Sequence, residues 1–468
     1  MLRDPTVNEP GSPPLTGRLT FDELRTMVQE GRIDTVLVAF PDMQGRLIGK
    51  RITGSYFLDT VHKETHACDY LLTADMEMEP VPGYAAASWS LGYGDLVLKP
   101  DLGTLRRVPW LEGTAQVLAD VADHAGSLLA HAPRTILKRQ LARLAERGWK
   151  ATLASELEFY LFDQAYAQAQ GQGYRELRTA AWYIEDYHIF QGSKVEGLIR
   201  AIRNGMEQGG IPIEGSKGEW GPGQQEINFR CAEALEMADR HVLYKNGAKE
   251  IAHQQGKAIT FMAKWSSALA GSSCHVHCSL QERATGRPVF HDPAAPDGMS
   301  ELLRQFLAGQ LALAGESMLF LAPYVNSYKR FQAQSFAPTR LAWSWDNRTT
   351  GLRVVGHGDS LRLESRIPGA DCNPYLAYAA MIAAGLHGVD QGLPLEPAFS
   401  GNAYESSAVE RVPGNLRDAI QRLEGSRALR QALGDAVIDH YLHAARHEQA
   451  DYDRAVTDYE LRRMFERC

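Results

Sequence analysis

The sequence predicts an α+β protein in two parts, a small first domain followed by a larger mixed α/β domain. Two observations carry that reading. Short strand-like runs with Gly and Pro punctuation continue to about Asp120, and longer amphipathic helices begin only beyond it. From there helices and strands alternate, the apolar period switching between that of a helix and that of a strand. The expected division is a mobile tail over 1–17, a first domain over 18–120 and a second over 121–468.

The tail is rich in Pro, Gly and Ser and lacks the basic-then-apolar pattern of an export signal. A short helix is predicted from Phe21 to Glu30, stopped by Gly31, then a strand from Thr35 to Phe40 and a turn at Pro41-Asp42. Helix Pro133–Arg147 has Pro in its first turn, Ile136, Leu137, Leu141 and Leu144 at helical spacing, and Gly148 as its stop. Helices Val195–Gln208 and Met237–Gln255 precede strands Ile211–Glu214 and Ile259–Lys264, and helix Gly298–Gly315 follows a His-rich strand. No internal repeat is visible.

Composition narrows the function. A net charge of −8 offers no field that would gather nucleic acid or an anionic membrane surface. The richest apolar stretch, Phe306 to Tyr324, is broken by Gln310, Glu316 and Ser317, short of the roughly 20 clean residues a membrane span needs. The six cysteines lack the density of a disulfide scaffold and fit reduced thiols in the cytoplasm.

Three strands carry polar residues on one face. Ala151–Phe162 reads ATLASELEFYLF, so Glu156 and Glu158 project together, although a lone Glu-x-Glu is also an ordinary exposed face. In Cys274–Cys278 both histidines point one way and both thiols the other, which argues against a zinc site of all four and for the cysteines as small buried apolar residues. Arg362, Glu364 and Arg366 share a face of Leu361–Arg366, a pattern that an exposed salt-bridge ladder would also give. Glu219 and Glu226 bracket the bend Trp220-Gly221-Pro222-Gly223, which lets side chains seven residues apart converge. Five carboxylates and an imidazole suit hard cations such as Mg²⁺ or Mn²⁺, whose shells a nucleotide's phosphates would complete.

The motifs SELEF, KGEWGPGQQEI, GSSCHVHCSL, NSYKR and RVVGHGDSLRLESRIPGADCNPYLAYAA, in this order, resemble the type I-like glutamine synthetase superfamily over most of the chain. The resemblance implies a β-grasp first domain and a catalytic α/β domain with a curved antiparallel sheet. It implies one metal on Glu158, Glu219 and Glu226 and a second on Glu156, His275 and Glu364, with two or three Mg²⁺ or Mn²⁺ per site. ATP contacts are implied at Glu214, His277, Ser279 and Arg353, and glutamate contacts at Gly271, Arg330, Arg348 and Arg366. It implies phosphoryl transfer from ATP to the glutamate γ-carboxylate, then attack by an amine, in a dodecamer of two hexameric rings whose sites are shared between neighbours.

Where ammonia-using members carry a flap Glu before Ala-Pro, this chain has Phe336 in Gln334-Ser335-Phe336-Ala337-Pro338, and their Asp-Gly-Ser-Ser element has no counterpart near Lys50 to Phe57. An aromatic ring in place of a carboxylate weakens a small cation's site and favours an amine with an apolar body. The opening AFPDMQGRLIGKR and LRRVPW are similar to the branch that makes γ-glutamyl derivatives of polyamines or ethanolamine, although Trp220 stands where that branch usually has Cys and Ala270-Gly271-Ser272-Ser273 lacks its acidic residue and Asn. The expected amine pocket comprises Phe336, Asp186 and Tyr187, with Glu219 or Asp186 as base and Arg348 assisting catalysis. A true ammonia-dependent synthetase and an inactive structural relative stay open as alternatives. Tyr404 sits roughly where some relatives are adenylylated, but lacks their Leu-Pro-Pro continuation and is expected to be unmodified.

Overall fold

The computed structural model describes residues 17–468. The tail expectation therefore lies almost wholly outside the described residues.

The first sheet contains β1 (Thr35–Pro41), β2 (Leu47–Thr53), β3 (Thr65–Cys68), β4 (Asp95–Pro100), β5 (Arg106–Arg107) and β6 (Thr114–Ala122), in the order β2-β1-β6-β4-β3 with β5 on β6. β1 and β6 run parallel at its centre and the other pairs are antiparallel. Helix Phe21–Gln29 packs here. Its N-terminus is fixed by a capping box in which Thr20 and Glu23 satisfy each other's backbone N–H. The β1–β2 turn is pinned by the Asp42 carboxylate, which accepts the N–H groups of Gln44 and Arg46.

The second sheet holds β7 (Trp149–Phe162), β8 (Ile213–Gly218), β9 (Gln224–Phe229), β10 (Ala232–Glu233), β11 (Ala258–Thr260), β12 (Cys274–Glu282), β13 (Trp343–Trp345), β14 (Leu352–Val355) and β15 (Arg362–Ser365). Its order is β13-β14-β15-β12-β7-β9-β8, with β10 and β11 also on β7. All pairs are antiparallel except β13 with β14, so the antiparallel expectation is corrected at that edge. One face is apolar: Leu153, Leu157 and Val276 lie in the main core with residues of helices Ala234–Gln254, Pro133–Glu146 and Pro374–Gln391. The opposite face is left to polar side chains.

Boundary differences have local causes. Pro212 cannot donate to a ladder, and β8 begins after it, at Ile213. Ser300 caps the helix after β12 by accepting from Leu303 N–H, so that helix is Glu301–Ala312 rather than Gly298–Gly315. β11 stops at Thr260, two residues into the expected Ile259–Lys264 run, where the chain leaves the sheet edge.

Candidate active site

Strand pairing brings the sequence-predicted carboxylates together. Across β7 and β9, Glu158 faces Glu226 and Glu156 faces Asn228. Across β12 and β7, His275 faces Glu156, and across β12 and β15, His277 faces Glu364. The bend after β8 adds Glu219. Glu156, Glu158, Glu219, Glu226, His275 and Glu364 all line one cavity of about 610 Å³. This works because the strand period of two sends alternate residues to the cavity and the rest to the core: Cys274 and Cys278 are buried on the far side, at 0% and 1% exposure. Burial pushes the Cys278 thiol up to about 12, as for a small apolar core residue.

Two electrostatic halves result. Burial, then the Glu219 charge, raises Glu158 to about 8, and burial with the charges of Glu219, Glu156 and Glu158 raises Glu226 well above the carboxylate range. Glu158 is held in place by Ser273, through its N–H at 2.8 Å and hydroxyl at 2.5 Å, and by Gln224 Nε2 at 3.0 Å. In the other half burial opposes ionisation of Glu156, but His275 at 3.2 Å and His277 at 2.9 Å more than offset it and lower its pKa. Burial likewise opposes Glu364, yet His275 and Arg366 outweigh it and bring it to about 2. Burial, reinforced by Arg366, lowers His275 to about 4, so its imidazole is neutral at pH 7 with a lone pair to donate.

Crowded carboxylates that resist joint ionisation, beside a neutral imidazole, form a donor set that fits a hard divalent cation. Glu156, His275 and Glu364 can each bring one donor atom within 4.8 Å of the others, and so can Glu158, Glu226 and His275. Glu219 lines the same cavity but is ion-paired to Lys217.

Arginines stand among these acids. Arg366 Nη1 donates to Glu364 at 2.5 Å and Arg353 Nη1 at 2.6 Å, while Arg330 lies fully buried against the Ile367 and Pro368 carbonyls. The Nε–H groups of Arg330 and Arg366 are buried and find no partner among the described residues. Arg348 and Gly271 also line the cavity.

Asp186, Tyr187, Trp220 and Phe336 line the cavity too. Lys217 pairs with Glu219, stands 3.6 Å from Asp186 and sits 4.4 Å over the Tyr187 ring. Burial works against its charge, yet the neighbouring Glu219 raises its pKa. The Trp220 and Phe336 rings meet edge to face, centroids 5.7 Å apart.

Three expected nucleotide contacts do not line this cavity. Glu214 is the extra residue of a bulge in β8 and is exposed, Ser279 lies further along β12, and His277 bonds Glu156 from the rim. Sequence reasoning passed over Lys217, Asn228, Gln224 and Ser273. Lys217 carried a usable signal, since strand alternation puts it on the same face as Glu219. Asn228 carried one too, being two residues from Glu226. Glu185 gave none: it is buried and accepts from Gly223 N–H and Gln225, clamping the bend that carries Glu219. Tyr404 is half-buried with its hydroxyl bonded to the Ala337 carbonyl at 3.1 Å.

Residues 130–464 match the family model for the glutamine synthetase catalytic domain. The chain is 51% identical over 453 residues to gamma-glutamylethanolamide synthetase GlnA4 of Streptomyces coelicolor, covering 97% of each chain. It is 35% identical over 448 residues to the glutamate–isopropylamine ligase of a Pseudomonas species, covering 95% of this chain and 97% of that one. Among solved structures, a complex described as GmaS with ADP superposes with a TM-score of 0.82 at 29% identity, over 94% of this chain and 99% of that one. Matching motifs, matching fold and near full-length identity agree: the chain belongs to the glutamine synthetase family of ligases.

Proposed function

We propose that the protein joins the γ-carboxylate of glutamate to a small alkyl amine at the expense of ATP. One observation carries this: five glutamates and His275, delivered by distant segments, line one cavity together with Arg330, Arg348, Arg353 and Arg366. Glu158, Glu219 and Glu226 would hold one divalent ion, Mg²⁺ or Mn²⁺, and Glu156, His275 and Glu364 a second. Bound there, such ions supply positive charge against the phosphates. The free Nε–H groups of Arg330 and Arg366 support a role in holding the glutamate carboxylates, beside Gly271 and Arg348. The nucleotide would reach Arg353 and extend past the cavity rim toward His277, Ser279 and Glu214.

A γ-carboxylate oxygen attacks the terminal phosphorus, the bond to ADP breaks, and γ-glutamyl phosphate forms. The amine nitrogen then attacks the carbonyl carbon and phosphate leaves with the electron pair of the C–O bond. The amine arrives as an ammonium and must lose a proton. Asp186 or Glu219 takes it, directly or through water. Phe336 at the acceptor end supports an alkyl amine such as ethanolamine, a polyamine or a relative over ammonium, and the named relatives act on ethanolamine and isopropylamine. ADP release with glutamate, Mg²⁺ and a panel of amines tests the reading. Release with ammonium alone would establish an ammonia-dependent synthetase instead, and no release with any amine would leave an inactive relative.

Assembly and placement belong to the same reading. Trp182, Tyr187, Ile189 and Phe190 are 72%, 69%, 84% and 64% exposed, apolar side chains of one segment that support packing against a neighbouring subunit, and a dodecamer of two hexameric rings is proposed. All six cysteines are free, which supports a cytoplasmic location, and no helix among the described residues is long and apolar enough to cross a membrane. Light scattering that returned an active 51.8 kDa monomer would refute the assembly.

A further inference from the structure

We propose that Trp220 and Phe336 act as a pair to limit the length of the acceptor's apolar body, so that the acceptor is a primary alkylamine with a short chain. This rests on the ligase reading and deepens it at one end of the cavity. The two rings come from segments 116 residues apart and meet edge to face at 5.7 Å, which closes the gap between them. Trp220 follows Glu219 directly, and consecutive Cα atoms are about 3.8 Å apart. Glu219, Trp220 and Phe336 line the same cavity, so an amine whose nitrogen sits at Glu219 has the ring pair in the wall beside it.

Both rings stand on backbone that cannot yield easily. On the Trp220 side, a Cβ at Gly221 would lie 1.8 Å from the Tyr160 hydroxyl and one at Gly223 would lie 2.9 Å from the Leu161 carbonyl, so the bend is pressed against β7. Gly221 N–H donates to Gln224 at 2.9 Å and Gly223 N–H to Glu185 at 2.5 Å. On the other side Phe336 has φ +57°, a left-handed conformation a bulky residue seldom adopts. Its carbonyl accepts from Arg366 Nη2 at 3.4 Å, and the next carbonyl, of Ala337, accepts from Tyr404. The rings are 48% and 50% exposed, so their outer sides face open space. Truncating either one opens the cavity outward and does not create a sealed void.

The test is a series of n-alkylamines from methylamine to hexylamine, with glutamate, ATP and Mg²⁺, read as kcat/KM for ADP release. For the unaltered protein kcat/KM is expected to fall at least tenfold between propylamine and hexylamine. In Trp220→Ala and Phe336→Ala the hexylamine-to-methylamine ratio is expected to rise about tenfold, mainly through KM. The double variant should add little to either, because either truncation breaches the same wall. Trp220→Phe should restore much of the fall, which a merely structural role would not require. Should an alanine variant fail to fold, Trp220→Leu and Phe336→Leu report the same ratio. Parallel chain-length profiles in the unaltered protein and both single variants would overturn the inference while leaving the ligase reading intact. Absence of ADP release from every amine and from hydroxylamine in the unaltered protein would overturn both.

Discussion

Glu158 and Glu226 are direct cross-strand partners in the pairing of β7 with β9, and both are buried. Two carboxylates so placed cannot both ionise cheaply, and Glu158 is raised to about 8 while Glu226 is also raised. An acid whose folded pKa lies above its unfolded value of 4.5 contributes stability that is full below 4.5 and lost as pH rises toward 8. His275, lowered to about 4, has the opposite slope, but only up to its ordinary value of 6.5. Between pH 6.5 and 8 the metal-free protein is therefore expected to lose stability, by roughly 2 kcal/mol from Glu158 alone. Mg²⁺ or Mn²⁺ should reverse the loss, so the metal-induced rise in Tm should grow across this interval. Thermal unfolding with EDTA and with metal at several pH values measures it, and a metal effect independent of pH would refute it.

Glu364 joins the carboxylate face of the cavity to the arginines. Its carboxylate accepts from Arg353 and Arg366 at 2.6 and 2.5 Å and is 1% exposed. Glu364→Gln keeps the shape but removes the charge, leaving the Arg366 guanidinium without its counterion and Arg353 with Asp346 alone. Uncompensated buried charge costs about 3 kcal/mol. Chemical denaturation should show a loss of that order, and ADP release should fall at least 100-fold even at temperatures where the variant is fully folded. Activity within tenfold of the unaltered protein would remove Glu364 from the site.

The face that carries the carboxylates and imidazoles was legible in the sequence because a strand makes it so. In Glu156-Leu157-Glu158 and His275-Val276-His277 the period of two separates the polar face from the core without any knowledge of neighbours. What the sequence did not show is register. That Glu158 faces Glu226, or that Trp220 touches Phe336, depends on contacts between distant segments, which local pattern does not encode. The segment from Trp182 to Phe190 was illegible for a different reason: its exposed apolar side chains follow neither period. The bulge at Glu214 was also invisible, because the extra residue in β8 shows only in its pairing with β9.

Asp186 offers a clean separation of proton transfer from positioning. Its carboxylate is 3.6 Å from the Lys217 ammonium and its side chain is 31% exposed, so a protonated amine can reach it from solvent. If it is the base, Asp186→Asn should lower kcat for alkylamines about 100-fold. Hydroxylamine, which is mostly neutral at pH 7 and needs no base, should be used within a few-fold of the normal rate. Equal losses with both acceptors would assign Asp186 a structural role and leave Glu219 as the base.

Arg134 shows how the two sheets are tied. We propose a first domain ending at Asp120, and the Arg134 guanidinium spans that boundary: it donates to Asp120 at 2.6 Å and Asp101 at 2.8 Å on one side, and to both oxygens of Asp239 at 3.0 Å on the other. Tyr375 also donates to Asp239, at 2.6 Å. Arg134 and Asp239 are both nearly inaccessible, at 3% and 1% exposure, so solvent screens the pair little. Arg134→Met would leave Asp239 charged and supported by Tyr375 alone, a loss of about 3–5 kcal/mol. Adding Asp239→Asn removes the stranded charge and should recover part of that. Urea unfolding of the two variants reads the difference, and limited proteolysis should find Arg134→Met cut between residues 120 and 134 where the unaltered protein resists. If the double variant were no more stable than Arg134→Met, the cost would come from lost packing around the guanidinium and not from the uncompensated carboxylate.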